Sequence, residues 1–166
     1  RTPVWLMRQA GRYLPEYRAI REKVSFLELC KSPKLSAEVM LATVHRLGVD
    51  AAIIFSDLLP ILEPMGLDLE FAVGEGPVIH NPVLADIDRL AFVMDTVVAT
   101  RAGLDDSIPV IGFAGAPFTL AGYCIEGGTS KSWTLTKQFM MRHEAAWHDL
   151  CGKIARAVSR YLVAQL

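Results

Sequence analysis

The chain has 166 residues, of which 52% are hydrophobic and 21% charged, with a formal net charge of −1. That is enough chain for a domain with its own core, and the composition reads as globular and soluble rather than disordered. Nothing global attracts nucleic acid or an anionic membrane, and no apolar run approaches the roughly 20 residues of a membrane helix. An anionic ligand must therefore be held by local placement of Arg and Lys.

In chain order, Pro3-Val4-Trp5-Leu6-Met7 reads as a first short strand. The chain does not begin with Met, shows no charged-then-apolar leader, and closes at Leu166 inside a helical pattern, so both ends read as cut. An arginine-rich segment follows, then a short helix over 25–31. Ser32 and Pro33 predict a helix start, a cap followed by a first-turn proline. Leu35, Val39, Ala42, Val44 and Leu47 form its apolar stripe, and Gly48 its stop. The continuous apolar run 51–55 suits a parallel strand buried on both faces. Pro60, Pro64 and Gly66 punctuate a short interrupted helix, and 67–83 holds short extended pieces. A helix is predicted over 88–104, with a stripe at Leu90, Val93, Met94, Val97 and Val98. Residues 109–113 form the third strand, and helices follow over 118–125, 131–141 and 143–166.

Strands alternate with helices and lie at least ten residues apart, as parallel crossovers require, so the class is α/β. The pattern fits both an open Rossmann-like sheet and part of a (β/α)8 barrel. A whole barrel takes about 250 residues.

Several motifs fail on spacing. Gly74-Glu75-Gly76 is followed by Pro77 and Ile79, not the glycines of a dinucleotide loop. Gly122 and Gly127 have P-loop spacing, but Gly128 stands where Lys is needed. His143-Glu144 has its second histidine at His148, off the first one's helical face, so both read as solvated helix residues. His45 and His80 stand alone. Cys30, Cys124 and Cys151 are far apart and odd in number, which argues against disulfides or zinc and for a reducing cytoplasm. They are expected to be buried or half-buried thiols, and no metal site is expected.

Candidate chemistry gathers at the strand ends. Arg8-Gln9-Ala10-Gly11-Arg12 follows the first strand. Two guanidinium forks around a glycine make a compact carboxylate receptor. Ion pairs from these arginines to Glu16 or Glu22 are the alternative. Asp57 ends the second strand, where a carboxylate reads as catalytic or as a helix cap for 58–65. Tyr123, after the third strand, offers a phenol to a ligand or simply packs.

The segment from Pro3 to Tyr17, PVWLMRQAGRYLPEY, resembles the N-terminal signature of the uroporphyrinogen decarboxylases. Ile54-Phe55-Ser56-Asp57 is similar to their second-strand motif. Gly112-Phe-Ala-Gly-Ala-Pro117-Phe-Thr-Leu, with Tyr123 and Glu126-Gly127-Gly128, is similar to their second signature region. The resemblance implies a single partial domain over 1–166, the N-terminal part of a (β/α)8 barrel. It implies a cofactor-free, cytoplasmic homodimer in the full-length protein. The implied reaction converts uroporphyrinogen III to coproporphyrinogen III by decarboxylating four acetates. Arg8, Gln9, Ala10, Gly11, Arg12, Asp57 and Tyr123 are implied to bind substrate, with Asp57, Arg8 and Arg12 catalytic. Asp57 would accept from the pyrrole N–H groups, and one arginine would act as, or help deliver, the general acid. The rivals are a related barrel methyltransferase carrying zinc and a non-catalytic porphyrin-binding protein.

Overall fold

The computed structural model describes residues 1–65 and 87–166. The predicted extended pieces over 67–83, Gly74-Glu75-Gly76 and His80 lie outside the described residues. Two compact units interleave in sequence: the first holds Arg1–Asp57, Ala91–Phe113 and Gln165, the second Leu58–Leu90, Ala114–Ala164 and Leu166.

In the first unit the predicted opening strand does not form. Val4, Trp5, Leu6 and Met7 are exposed, and Val4 O accepts from Asp50 N at 2.8 Å. A strand needs a ladder of such pairs. Here the Asp50 carboxylate takes the neighbouring donors instead, Val4 N at 2.8 Å and the Arg1 guanidinium. The segment is pinned by one side chain rather than paired along its length.

The next helices follow their local signals. Helix α1 spans Pro15–Arg21, with proline in its first turn. Helix α2, Phe26–Cys30, starts with a capping box: Ser25 accepts from Glu28 N, and the Glu28 carboxylate accepts from Ser25 N. Helix α3, Pro33–Leu47, is capped by the Ser32 hydroxyl and ended by Gly48 at φ 60°, as its sequence predicts.

The buried face of α3 differs from the predicted stripe. It holds Ser36, Ala37, Val39, Met40, Thr43 and Val44, while Leu35, Ala42 and Leu47 are half-buried. Ser36 Oγ donates to Leu29 O at 2.8 Å and Thr43 Oγ1 to Val39 O at 2.6 Å. Satisfied hydroxyls bury at little cost, so an apolar-only stripe overlooks them. Helix α4, Ala91–Gly103, shows the same effect at Thr96, whose hydroxyl donates to Phe92 O at 2.7 Å, whereas the buried Thr100 hydroxyl has no partner among the described residues. Val93, Thr96 and Thr100 are buried, and Val98 is 68% exposed. A Cβ on Gly103 would meet the Leu41 side chain at 2.6 Å, which marks how closely α4 ends upon α3.

The sheet joins strand β1, Ala52–Ile53, to strand β2, Val110–Ile111. They pair in parallel, Ala52 with Val110 and Ile53 with Ile111. Both strands are shorter than predicted, and past β2 a side-chain amide takes up the main-chain groups. Gln165 accepts from Phe113 N at 3.1 Å and donates to Phe113 O at 3.2 Å. Met40, Val44, Val49 and Ala52 form the core beneath this sheet, and Leu14, Tyr17, Leu29 and Val39 form a second cluster.

In the second unit a 3₁₀ helix spans Pro60–Met65, buried at Ile61, Leu62 and Met65, where an interrupted helix is predicted. A 3₁₀ turn, Ile87–Leu90, leads to the start of α4. Helix α5, Pro117–Glu126, ends at Gly127 with φ 70°. The Gly122-to-Gly127 spacing therefore lies along a helix and cannot be a phosphate loop. Helix α6 is Thr134–Arg142 and helix α7 is Glu144–Ala164, buried through Trp147, Ile154, Ala157, Val158 and Tyr161. His143 and His148 are exposed, as predicted, and His148 lies 3.9 Å from Glu144. Among the described residues no helix is long and apolar enough to cross a membrane.

Candidate active site

The 8–12 run forms a turn that leads into α1, and its own main chain closes it. Leu14 N donates to Gly11 O at 2.9 Å. The Tyr13 hydroxyl donates to Gln9 O and, at 3.4 Å, to Arg8 O. Arg18 donates to Arg12 O at 3.1 Å. The carbonyls of Arg8, Gln9, Gly11 and Arg12 thus accept from residues close by in the chain. At Gly11 a Cβ would press on the Tyr13 ring at 3.2 Å, so the glycine lets the turn fold this tightly.

Gln9 fastens the turn to the sheet. Its side chain is fully buried, at 0% exposure. Nε2 donates to Ala51 O at 2.6 Å, and Oε1 accepts from Ile53 N at 3.2 Å. One amide thereby reproduces the donor–acceptor pair of a neighbouring strand along β1. Both polar ends of the Gln9 side chain are engaged by protein, which leaves ligand contact to its main chain. Residue type and position in the turn do not reveal that inward direction.

Arg8 and Arg12 behave oppositely. Both are exposed, and neither forms an ion pair among the described residues. The expected alternative partner, Glu16, is taken by Arg46 at 2.7 Å. Hydrogen bonds from Arg46 hold the Glu16 carboxyl below its ordinary range. The cations are therefore left to solvent while the turn carrying them is fixed to β1. Ala10 packs partly buried against the cluster of Leu14, Tyr17, Leu29 and Val39.

Asp57 lies four residues beyond β1, in the same unit as the turn, and is half-buried. The 3₁₀ helix begins at Pro60, so the predicted helix over 58–65 starts later and is not α-helical. Cys30 is buried. Burial pushes its thiol up to about 12, and the Asp57 charge adds to that rise. Cys124 is also raised to about 12 by burial, and Cys151 is half-buried. All three sulfurs are free thiols, as expected. Among the described residues no three His, Cys, Asp or Glu side chains gather as metal ligands.

Tyr123 belongs to the second unit, at the start of the last turn of α5. Its carbonyl accepts from Gly127 N and, at 3.2 Å, from Gly128 N. Its ring stands edge-on to Trp133, with centroids 5.6 Å apart and an interplanar angle of 83°. Sequence reasoning does not single out Trp133, and no local motif around it would have done so.

The family model described as uroporphyrinogen decarboxylase (URO-D) matches residues 1–166. The chain belongs to the uroporphyrinogen decarboxylase family. Named relatives include the uroporphyrinogen decarboxylase of Chloroflexus aurantiacus, 54% identical over 176 aligned residues, covering 100% of this chain and 50% of that protein. The protein of the same name from Myxococcus xanthus is 54% identical, covering 99% of this chain and 50% of its own length. The chain thus spans about half the length of the curated relatives it matches. Among solved structures, a methyltransferase from Methanosarcina mazei superposes with a TM-score of 0.65 at 15% identity, covering 84% of this chain and 46% of that one. This last likeness concerns the fold alone. Between the two predicted α/β architectures, the family decides for the barrel: the chain carries the N-terminal part of a (β/α)8 barrel, incomplete here.

Proposed function

We propose that the full-length protein decarboxylates the four acetate side chains of uroporphyrinogen III to give coproporphyrinogen III, without a cofactor. The observation that carries this reading is the 8–12 turn. It is locked to β1 through Gln9, yet its two guanidinium groups have no described partner, and the same strand leads on to Asp57. An acetate-bearing macrocycle with N–H groups at its centre suits cations outside and a carboxylate within.

In this reading Arg8 and Arg12 bind substrate carboxylates as forked donors. The main chain of Gln9, Ala10 and Gly11 completes that wall, and Tyr123 donates to a substrate oxygen. Loss of carbon dioxide breaks the bond between the acetate methylene and its carboxyl carbon. The electron pair left behind needs a sink, and a protonated pyrrole ring supplies one. The methylene then takes a proton and becomes methyl. Asp57 accepts from the pyrrole N–H groups and stabilises the positive charge that ring protonation places there. A guanidinium with a pKa above about 12 is a poor acid. The arginines therefore orient the substrate, and any part in proton delivery is indirect.

Residues 1–166 would form one partial domain of that enzyme, which would act as a cytoplasmic homodimer. The 166-residue chain by itself is expected to be inactive, because its described sheet has only the β1–β2 pair. The decisive experiment gives uroporphyrinogen to the full-length protein and separates the products. Coproporphyrinogen is expected. Asp57→Asn should lower kcat by roughly 10²–10³, the scale for one preorganised electrostatic group. Near-normal turnover in that variant would remove Asp57 from its role. Bound zinc and methyl transfer would favour the methyltransferase reading instead, and ligand retention with no turnover a binding protein.

A further inference from the structure

Trp133 has an unusual backbone. Its φ is 53° and ψ 43°, and among the described residues it is the one non-glycine with positive φ. A bulky L-residue adopts that conformation only where its surroundings enforce it. The surroundings here are specific. Trp133 N donates to Ser130 Oγ at 3.0 Å. Trp133 stands at the cap position of α6, but its side chain makes no cap. The cap comes from Glu126 at the end of α5, whose carboxylate accepts from Thr136 N at 2.9 Å and Thr136 Oγ1 at 3.0 Å.

With capping supplied by Glu126, the indole is free for another purpose. It lies edge-on to Tyr123 at 5.6 Å and to Phe118 at 6.4 Å. It also fills the space beside Gly122, where a Cβ would meet the indole at 2.7 Å. Tyr123 is thus held from two sides. The 127–128 glycines fix its main chain, and the indole fixes its ring. An αL backbone at residue 133 aims the indole where it stands, because a helical or extended backbone would point it elsewhere.

We infer that Trp133 is a positioning residue for Tyr123, using a left-handed backbone to press its indole edge-on against the tyrosine and fix the direction of the phenol toward a carboxylate-bearing substrate. The inference rests on the reading of Tyr123 as a substrate residue. Ser130 holds the Trp133 main chain, Glu126 caps the helix that Trp133 leads into, Trp133 holds the ring, and the ring presents the hydroxyl.

Trp133→Gly in the full-length protein separates positioning from folding. Glycine adopts positive φ freely, so the backbone keeps its course while the indole is lost. Tyr123→Phe should raise KM for uroporphyrinogen about tenfold, the value of one hydrogen bond to a charged group, with a smaller change in kcat. Trp133→Gly should raise KM by a similar factor, Trp133→Phe should recover much of it, and Trp133→Gly should add little in the Tyr123→Phe background. If the two losses multiply in the double variant, Trp133 does not act through Tyr123 and the inference falls. If Tyr123→Phe leaves KM unchanged, Tyr123 is not in the site and both readings fall together. Should Trp133→Gly fail to fold, the same cycle with Trp133→Phe gives the coupling.

Discussion

Replacing Gln9 with leucine removes the amide and keeps most of the volume. Two groups on β1, Ala51 O and Ile53 N, then lose their partners. An unsatisfied buried group costs about 1–3 kcal/mol. Ala51 is buried and Ile53 half-buried, so Ala51 O bears the larger part and the total is about 3 kcal/mol. With a urea slope of about 3 kcal/mol/M, the unfolding midpoint of the full-length protein should fall by about 1 M. The same change unfastens the 8–12 turn, so KM for uroporphyrinogen should rise even though the leucine touches no substrate. Gln9→Glu keeps an acceptor for Ile53 N but sets a carboxylate against Ala51 O, so it should be no milder than leucine. Urea denaturation followed by tryptophan fluorescence, with steady-state kinetics on the same samples, measures both effects. An unchanged midpoint together with an unchanged KM would refute the strap.

Gly122→Ala should destabilise by about 1–3 kcal/mol in thermal unfolding, since its methyl would enter the space of the Trp133 ring. Glu126→Gln tests the remote cap through pH. The hydrogen bond from Thr136 N holds the Glu126 carboxyl below its ordinary 4.5, so its stabilisation is full above that value and fades as pH falls through the lower folded value. Wild type should therefore melt higher than the variant at neutral pH, and the gap should narrow as pH falls below 4.5 and through the lowered folded value. Thiol labelling of the native protein near pH 8 should modify Cys151 well before Cys30 or Cys124, whose thiols are pushed up to about 12. Mass mapping of the labelled sites checks it.

What the sequence made readable was its local punctuation. Ser32, Pro33 and Gly48 bound α3 because capping and αL termination need only neighbouring residues. The apolar runs around Ala52 and Val110 foretold parallel strands, since only side-chain content was needed, but the expected full burial is missing at β2, where Val110 and Ile111 are half-buried. The segment at Val4 misled because a strand is defined by its partner, and Asp50 supplies a side chain there instead. Thr43 of α3 and Thr96 of α4 were missed for a related reason: their hydroxyls bond within the helix. In the candidate site, the arginines and Asp57 stood out by type and position. The inward turn of Gln9 and the indole behind Tyr123 did not, because each is a direction in space set by residues distant in sequence.

The interleaving of the two units has a bearing on synthesis. The first 57 residues share their unit with 91–113, so their sheet cannot pair until β2 has emerged. At about 5–20 residues per second, several seconds separate the appearance of β1 from that of β2. Throughout that interval Met40, Val44 and Ala52 lack the strand and helix that later complete their unit. The second unit likewise begins with Leu58–Leu90 and waits for Ala114–Ala164. A nascent chain built this way presents its apolar surfaces to the ribosome exit and to chaperones before it can bury them. Slow codons placed between the two segments of either unit would lengthen the exposure, and uninterrupted translation from 58 to 113 would shorten it.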